Sequence, residues 1–225
     1  MKLYDDRDPA PNPRRVRIFL REKNLEIPLV NVSLVQGAHK RPDILTKNSL
    51  GQLPVLELDD GTFVAESVSI CRYLEALHPQ PALFGRDPAE SARIDMWIRR
   101  VEFRIMQPVG MLWVHVHPFT APLAAARGRP QFKDYGESNW EVFHGACRWL
   151  DGELAGREFV AGERYSMADV VLQSTLDFAR VIGIDVPEGC ANLAAWYARV
   201  SARPSAAFDL GSFPLEQARK GLGRR

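Results

Sequence analysis

No stretch of this sequence approaches the roughly 18 apolar residues of a membrane-spanning helix, so no membrane crossing is expected. Met1-Lys2-Leu3-Tyr4 runs straight into acidic residues, and no signal peptide is read there. Neither sign of charge is in excess: 29 Lys and Arg face 28 Asp and Glu, a net of +1. That balance removes the usual reason to expect nucleic acid or an anionic membrane as a partner. The basic end, Arg219, Lys220, Arg224 and Arg225, is read as a solvated tail. Cysteine is scarce. The three, Cys71, Cys147 and Cys190, are odd in number, far apart and form no Cys-x-x-Cys pair. That argues against a disulfide framework and for buried free thiols in a reducing, cytoplasmic setting. There is no Gly-rich phosphate loop, no Ser-His-Asp arrangement, no repeat and no low-complexity segment. His115 and His117 diverge on a helix with no acidic partner near in sequence, so no metal is expected.

What is present is a globular composition, 46% apolar in 225 residues, enough for one or two domains. Lys2-Leu3-Tyr4 reads as a strand. Asn12-Pro13 reads as a helix start, with Asn as N-cap and Pro at the first helical position; Asn24 is the stop. Ile27 to Val32 is a second strand, Pro42 to Lys47 a short helix. Val55, Leu56 and Leu58 alternate behind Pro54, Asp59-Asp60-Gly61 supplies a hairpin turn, and Phe63-Val64 returns. Glu66-Ser67 opens a helix through Ile70, Leu74 and Leu77. The order is β-α-β-α-β-β-α over residues 1–78. Residues 79–88, rich in proline with Leu83-Phe84 as an apolar plug, form a linker. From 89 to 225 the periodicity is helical. One long helix runs from Ala89 past Met106 with Pro108 as a kink, and Pro118 to Pro130 is a loop. Further helices follow at Gln131–Leu154, after the capping box Ser166-Met167-Ala168-Asp169, and at Ala191–Ala202.

Three motifs, in order and at matching spacing, resemble those of the cytosolic glutathione S-transferases of bacterial type. They are Asn48-Ser49-Leu50-Gly51-Gln52-Leu53-Pro54-Val55-Leu56, then Glu66-Ser67 with Ile70 and Tyr73-Leu74, then Tyr165-Ser166-Met167-Ala168-Asp169. Leu83-Phe84-Gly85 in the linker adds to them. The resemblance covers nearly the whole chain. It implies an α/β thioredoxin-like N-terminal domain plus an all-α C-terminal helical domain, a homodimer, and a detoxifying transferase with glutathione as co-substrate.

It also implies roles for residues. Pro54 would be cis, and the backbone of Leu53 would pair with the cysteine of the bound peptide like an added strand. Sequence physics by itself offers a plain trans proline at a strand's start. Ser67 and the free N–H groups of its helix would hold the γ-glutamyl carboxylate, and Glu66 the ammonium. Gln52, His39 and Lys40 fall where relatives touch the glycine end, although His39 and Lys40 read equally well as a solvated loop.

The thiol must become a thiolate. The usual Ser or Cys position falls on Ala10, which has no donor. Asn12 and Tyr4 are the candidates left: Asn12 is either a donor to sulfur or an N-cap only, and Tyr4 either a donor or a half-buried support. Arg14 and Arg15 read as surface or interface charges, although one of them could assist the thiolate. An electrophile pocket between the domains would use Phe103, Met106, Gly110, Trp113 and His115 or His117, residues that could equally be core. Two other readings stay open. One is another glutathione-dependent enzyme (peroxidase, isomerase or disulfide-bond reductase); the other is a non-catalytic glutathione-binding or interaction protein.

Overall fold

The computed structural model describes residues 1–7, 9–126, 128–207, 215–219 and 222. Lys220, Arg224 and Arg225 of the basic end lie outside them. The chain divides into two compact units, Met1–Arg86 with Arg203–Phe213, and Asp87–Ala202 with Pro214–Arg225.

The first unit runs β1 (Lys2–Asp5), α1 (Pro11–Glu22), β2 (Leu29–Asn31), α2 (Pro42–Leu45), β3 (Val55–Glu57), β4 (Phe63–Ala65) and α3 (Ser67–Leu77). The sheet order is β2-β1-β3-β4, with β1 parallel to β2 and antiparallel to β3, and β3 antiparallel to β4. Asp59-Asp60-Gly61 makes the expected hairpin. Gly61 takes φ +84°, and the Thr62 N–H donates to Asp60 Oδ1 at 2.8 Å. α1 ends where predicted, with Asn24 at φ +50°. Its apolar stripe closes one face of the sheet: Leu3, Leu56, Val16, Phe19, Ile70 and Leu74 are fully buried. Val32, Ile44, Leu53 and Val55 form a second cluster with Tyr4 and Phe63 against it.

Two segments join the first unit through long-range contacts. Most of the expected linker is one of them, with residues 78–84 tied to that unit. Lys23 Nζ, from the end of α1, donates to the carbonyls of His78 (2.8 Å) and Pro81 (2.5 Å), and Glu75 accepts from the Leu83 and Phe84 N–H groups. The chain also returns after residue 202. Arg203 forms a two-pronged pair with Glu22 (2.8 and 2.7 Å), Arg14 Nη2 donates to the Ala206 carbonyl (2.9 Å), and Arg21 Nη1 to that of Ala207 (2.6 Å). Arg14, Arg21 and Glu22 share one face of α1, so residues 203–207 lie along that helix as a strap.

The second unit holds α4 (Pro88–Val101), α5 (Gln107–His115), α6 (Ala121–Ala126), α7 (Lys133–Leu154), α8 (Met167–Val181), α9 (Ala191–Ser201) and α10 (Leu215–Arg219). Between α4 and α5, just ahead of Pro108, the helix changes form. It widens into a π-helical turn over Glu102–Met106, which accommodates the missing N–H of the proline. α6 lies inside the expected loop, because its alanines favour helix more than the flanking Pro and Gly suggest. α8 is buried along nearly its whole length. Its anchor is Asp169, which accepts from the Ser166 N–H (2.9 Å) and hydroxyl (3.0 Å), the Val160 N–H (2.9 Å) and the Trp196 indole (2.8 Å). No helix of the described residues is long and apolar enough to cross a membrane.

Candidate functional site

Strand register decides which loops meet. Tyr4 pairs with Val55 and Val55 with Ala65. The end of β1, the start of β3 and the end of β4 therefore lie at one edge of the sheet. β2 runs parallel to β1 and finishes at the same edge. From these four ends come the β1–α1 loop with Ala10, leading to Asn12 in the first turn of α1, the Leu53-Pro54 turn, Glu66-Ser67, and the segment carrying His39 and Lys40. The sequence-predicted residues of the first unit thus gather at one end of one sheet.

The Leu53–Pro54 bond is cis. Leu53 is buried, and its main-chain N–H and C=O make no hydrogen bond to other described residues, although β3 begins two residues later. An extended peptide could use both groups. The turn is shaped by Asn48, whose carbonyl accepts from the Gly51 N–H (2.7 Å) and whose side chain brackets the Leu50 N–H (3.1 Å) and the Gln52 carbonyl (3.0 Å). Gly51 takes φ +54°, and a Cβ there would sit 2.8 Å from the His39 carbonyl oxygen and 2.8 Å from Leu45 Cδ2. Gln52 is exposed beside it, and Lys40 Nζ donates to the Leu50 carbonyl at 2.7 Å. His39 is buried rather than solvated. Because Gly51 meets both a steric and a conformational limit, Gly51→Ala is expected to cost about 1–3 kcal/mol of stability. Denaturant unfolding checks this; a variant as stable as the parent would mean that the turn relaxes freely.

Glu66 is exposed and takes φ +66°, an uncommon value for a residue with a side chain. Ser67 begins α3, so its N–H has no acceptor inside the helix. Its hydroxyl accepts from Arg15 Nη1 at 3.3 Å. Arg15 is 1% exposed and Arg14 3%, so neither is the surface charge expected from the sequence. α1 turns both inward: Arg14 serves the strap, and Arg15 places a buried cation behind the hydroxyl of Ser67. Sequence reasoning gave Arg15 no contact with Ser67, because nothing in the local pattern separates an inward arginine from an outward one.

α1 also starts earlier than expected. Ala10 is the N-cap and Pro11 the first helical residue, so Asn12 lies inside the first turn and does not cap it. Pro11 and Pro13 have no N–H, and the Arg14 N–H goes back to the Ala10 carbonyl at 3.2 Å. The Asn12 N–H is therefore the first-turn donor without an intrahelical acceptor, with its own side-chain amide beside it. Tyr4 faces other work. Its hydroxyl donates to Glu57 Oε2 at 2.6 Å, and that bond, with burial and the carboxylate charge, pushes its pKa up to about 12. A phenol so engaged is a support for β3.

None of the three cysteines is a nucleophile poised for attack. All are buried, and burial raises each thiol above its ordinary range, Cys147 to about 12.

In the second unit, Phe103 is exposed (65%) and Met106 is half-buried. Trp113 packs edge-on to Phe178 (5.4 Å between centroids) and against Phe119 and His117. His117 is fully buried, with Nε2 2.7 Å from the Ala218 carbonyl and Nδ1 accepting from the Phe119 N–H. His115 accepts from the Phe132 N–H at 3.3 Å and is half-buried.

The family model for the glutathione S-transferase N-terminal domain matches residues 6–82, and that for the C-terminal domain residues 133–204. The chain is 40% identical to glutathione S-transferase 2 of Saccharomyces cerevisiae over 209 residues, covering 91% of this chain and 87% of the relative. It is 31% identical to maleylacetoacetate isomerase of Pseudomonas aeruginosa over 193 residues, covering 82% and 84%. The crystal structure of Gtt2 from Saccharomyces cerevisiae superposes with a TM-score of 0.85 at 38% identity, over 92% of this chain and 98% of that one.

Proposed function

The chain belongs to the glutathione S-transferase family, and from that premise we propose that it binds glutathione at the shared sheet edge of its first unit, ionises the thiol at the start of α1, and transfers the sulfur to a small hydrophobic electrophile. The observation that carries this is the convergence of three distinct donor and acceptor sets at one edge. Leu53 offers an unused main-chain pair. Ser67 offers a hydroxyl and a helix N–H backed by Arg15. Asn12 offers a first-turn N–H and an amide. These suit, in turn, the peptide's middle residue, its γ-glutamyl carboxylate and its sulfur. Exposed Glu66 takes the ammonium. Gln52, with Lys40 and His39 behind it, takes the glycine end.

Chemically, the protein acts by positioning and by lowering a thiol pKa from about 8.5. A donor hydrogen bond and the positive end of α1 both favour the anion over the thiol. Asn12, not Tyr4, is assigned this role, since the Tyr4 proton is committed to Glu57. Phe103, Met106 and Trp113 are assigned to the electrophile. A homodimer and a cytoplasmic location accompany the family reading.

Retention on immobilised glutathione combined with turnover of an activated aryl halide tests the proposal. Retention and turnover together support it, and absence of retention overturns it. Asn12→Ala is expected to raise the thiol pKa of bound glutathione by about one unit, the scale on which one lost donor acts. An unchanged pKa, read from thiolate absorbance, removes the Asn12 side chain from the role and leaves only its N–H.

A second reading is a glutathione-dependent isomerase, which uses the same thiolate on an unsaturated acid. The resemblance to an enzyme of that name favours it, and an isomerisable diacid assayed beside the halide decides between the two. Disulfide reduction through a thiol of the chain itself is disfavoured by the burial of all three cysteines.

A further inference from the structure

The start of α1 offers sulfur one main-chain N–H. Two prolines and the Arg14-to-Ala10 bond have removed the other first-turn donors. A single hydrogen bond is directional and weakens steeply once the donor tilts or retreats. A site of this kind depends on how firmly its loop is held, and the β1–α1 loop is only a few residues long, from Asp6 to Ala10. What holds it lies outside the glutathione contacts assigned above.

Arg17 lies one and a half turns into α1 and reaches back to the other end of the loop. Its Nη1 donates to Asp5 Oδ2 at 2.8 Å and also to the Asp6 carbonyl oxygen. The side chains are 11% and 3% exposed, so the pair is shielded from solvent. The second oxygen of Asp5 accepts from the Asp6 N–H at 2.8 Å, and the Asp5 carbonyl accepts from the Val32 N–H at 2.8 Å. The Asp6 carboxylate in turn accepts from the Leu34 N–H. One guanidinium and two buried carboxylates thus tie α1, the end of β1 and the chain leaving β2 into one knot. The last of these leads to His39 and Lys40.

We propose that Arg17, through Asp5 and Asp6, is a positioning residue for the thiolate: it sets where the first turn of α1 stands relative to the sheet edge, and so where the Asn12 N–H meets the sulfur. This rests on the assignment of α1's start as the thiolate site. Arg17 does not touch glutathione. It spans the loop, so the loop's two ends move together with α1. The contacts assigned to the γ-glutamyl and middle parts of the peptide belong to the turn before β3 and the start of α3, and only His39 and Lys40, at the glycine end, follow the segment that Asp6 holds. Loss of Arg17 therefore separates two quantities that a general loss of structure would change together: the acidity of the bound thiol, and the affinity for the peptide.

The test uses the full-length protein and three variants: Arg17→Gln, Arg17→Lys and the pair Asp5→Asn with Arg17→Gln. Bound-thiol pKa is read from thiolate absorbance, glutathione affinity by calorimetry, and stability by denaturant unfolding. Arg17→Gln strands a buried carboxylate, so it is expected to lose stability, and the double variant to recover much of it because neither charge remains. The thiol pKa is expected to rise by about one unit in both, with kcat at neutral pH falling about tenfold and the affinity for glutathione changing less than about threefold. Arg17→Lys keeps the charge but not the fork, and should fall between. Recovery of the thiol pKa along with stability in the double variant overturns the proposal, as does an unshifted pKa in folded Arg17→Gln. Failure of the parent to bind glutathione would instead sink the functional reading on which the proposal rests.

Discussion

Asp169→Ala is expected to lower unfolding free energy by about 4 kcal/mol and the melting temperature by roughly 10 °C, because it leaves buried donors without an acceptor. The carboxylate accepts four hydrogen bonds, from the Ser166 N–H and hydroxyl, the Val160 N–H and the Trp196 indole. All four sit at the entry to α8, the helix at the centre of the second unit. A side chain that is 0% exposed gives water no access to take over those bonds. Against a typical total of about 5–15 kcal/mol, the loss is a large share of what keeps a domain folded. A loss under about 1 kcal/mol by urea unfolding would show that the helix start rearranges around the gap.

The same carboxylate has a pH signature. Burial outweighs its four donors and raises its pKa to about 6, above the ordinary 3.8. The folded protein therefore holds this proton more tightly than the unfolded chain does. Between about pH 4 and pH 6 the contribution of Asp169 to stability falls as pH rises, by up to the order of 3 kcal/mol, and is constant above that window. Asp169→Asn should remove this slope from the stability–pH profile. A profile with the same slope in parent and variant would assign it to other groups.

Ser67→Ala carries the largest expected effect on binding: a 10- to 100-fold rise in the glutathione dissociation constant. That range corresponds to a hydrogen bond to a charged group, about 1.5–3 kcal/mol. The hydroxyl accepts from Arg15 and has its own proton left to give to a carboxylate. Its removal therefore takes away one donor to the ligand and also the group that relays a buried positive charge toward it. Calorimetry with glutathione and with an analogue lacking the γ-glutamyl α-carboxylate separates the causes. The analogue should bind parent and variant alike; an equal penalty for both ligands would place the effect in folding of the α3 start.

Much of the architecture was legible because it depends on local chemistry. Asp60-Gly61 specifies a hairpin whatever surrounds it, and Ser166 with Asp169 announces a helix three residues ahead of its apolar run. The Asn48 to Leu56 motif specified the turn ahead of β3 by local chemistry, and the resemblance it carries pointed to the proposed binding edge. What escaped depends on distant partners. Arg14 and Arg15 look like surface charges until residues 204–207 and Ser67 are placed beside them. The strap along α1 joins positions separated by most of the chain. Asp5 and Asp6 read only as the acidic residues after the first strand, and only the fold brings Arg17 and Leu34 to them. The start of α1 was misplaced because Pro11 and Pro13 carry the same local signal, and only the backbone shows which one opens the helix.

The strap of residues 203–207 along α1 also has a consequence in time. Glu22 and Arg203 are 181 positions apart, and Arg14 reaches a carbonyl 192 positions later. A ribosome adding about 5–20 residues per second makes the first of these roughly 10 to 40 s before the second. During that interval the arginines and glutamate on one face of α1 have emerged and their partners have not been made. The unit that begins the chain thus stays incomplete until α4 to α9 of the helical unit have been made. An N-terminal fragment ending at residue 86 would carry that unfinished face permanently.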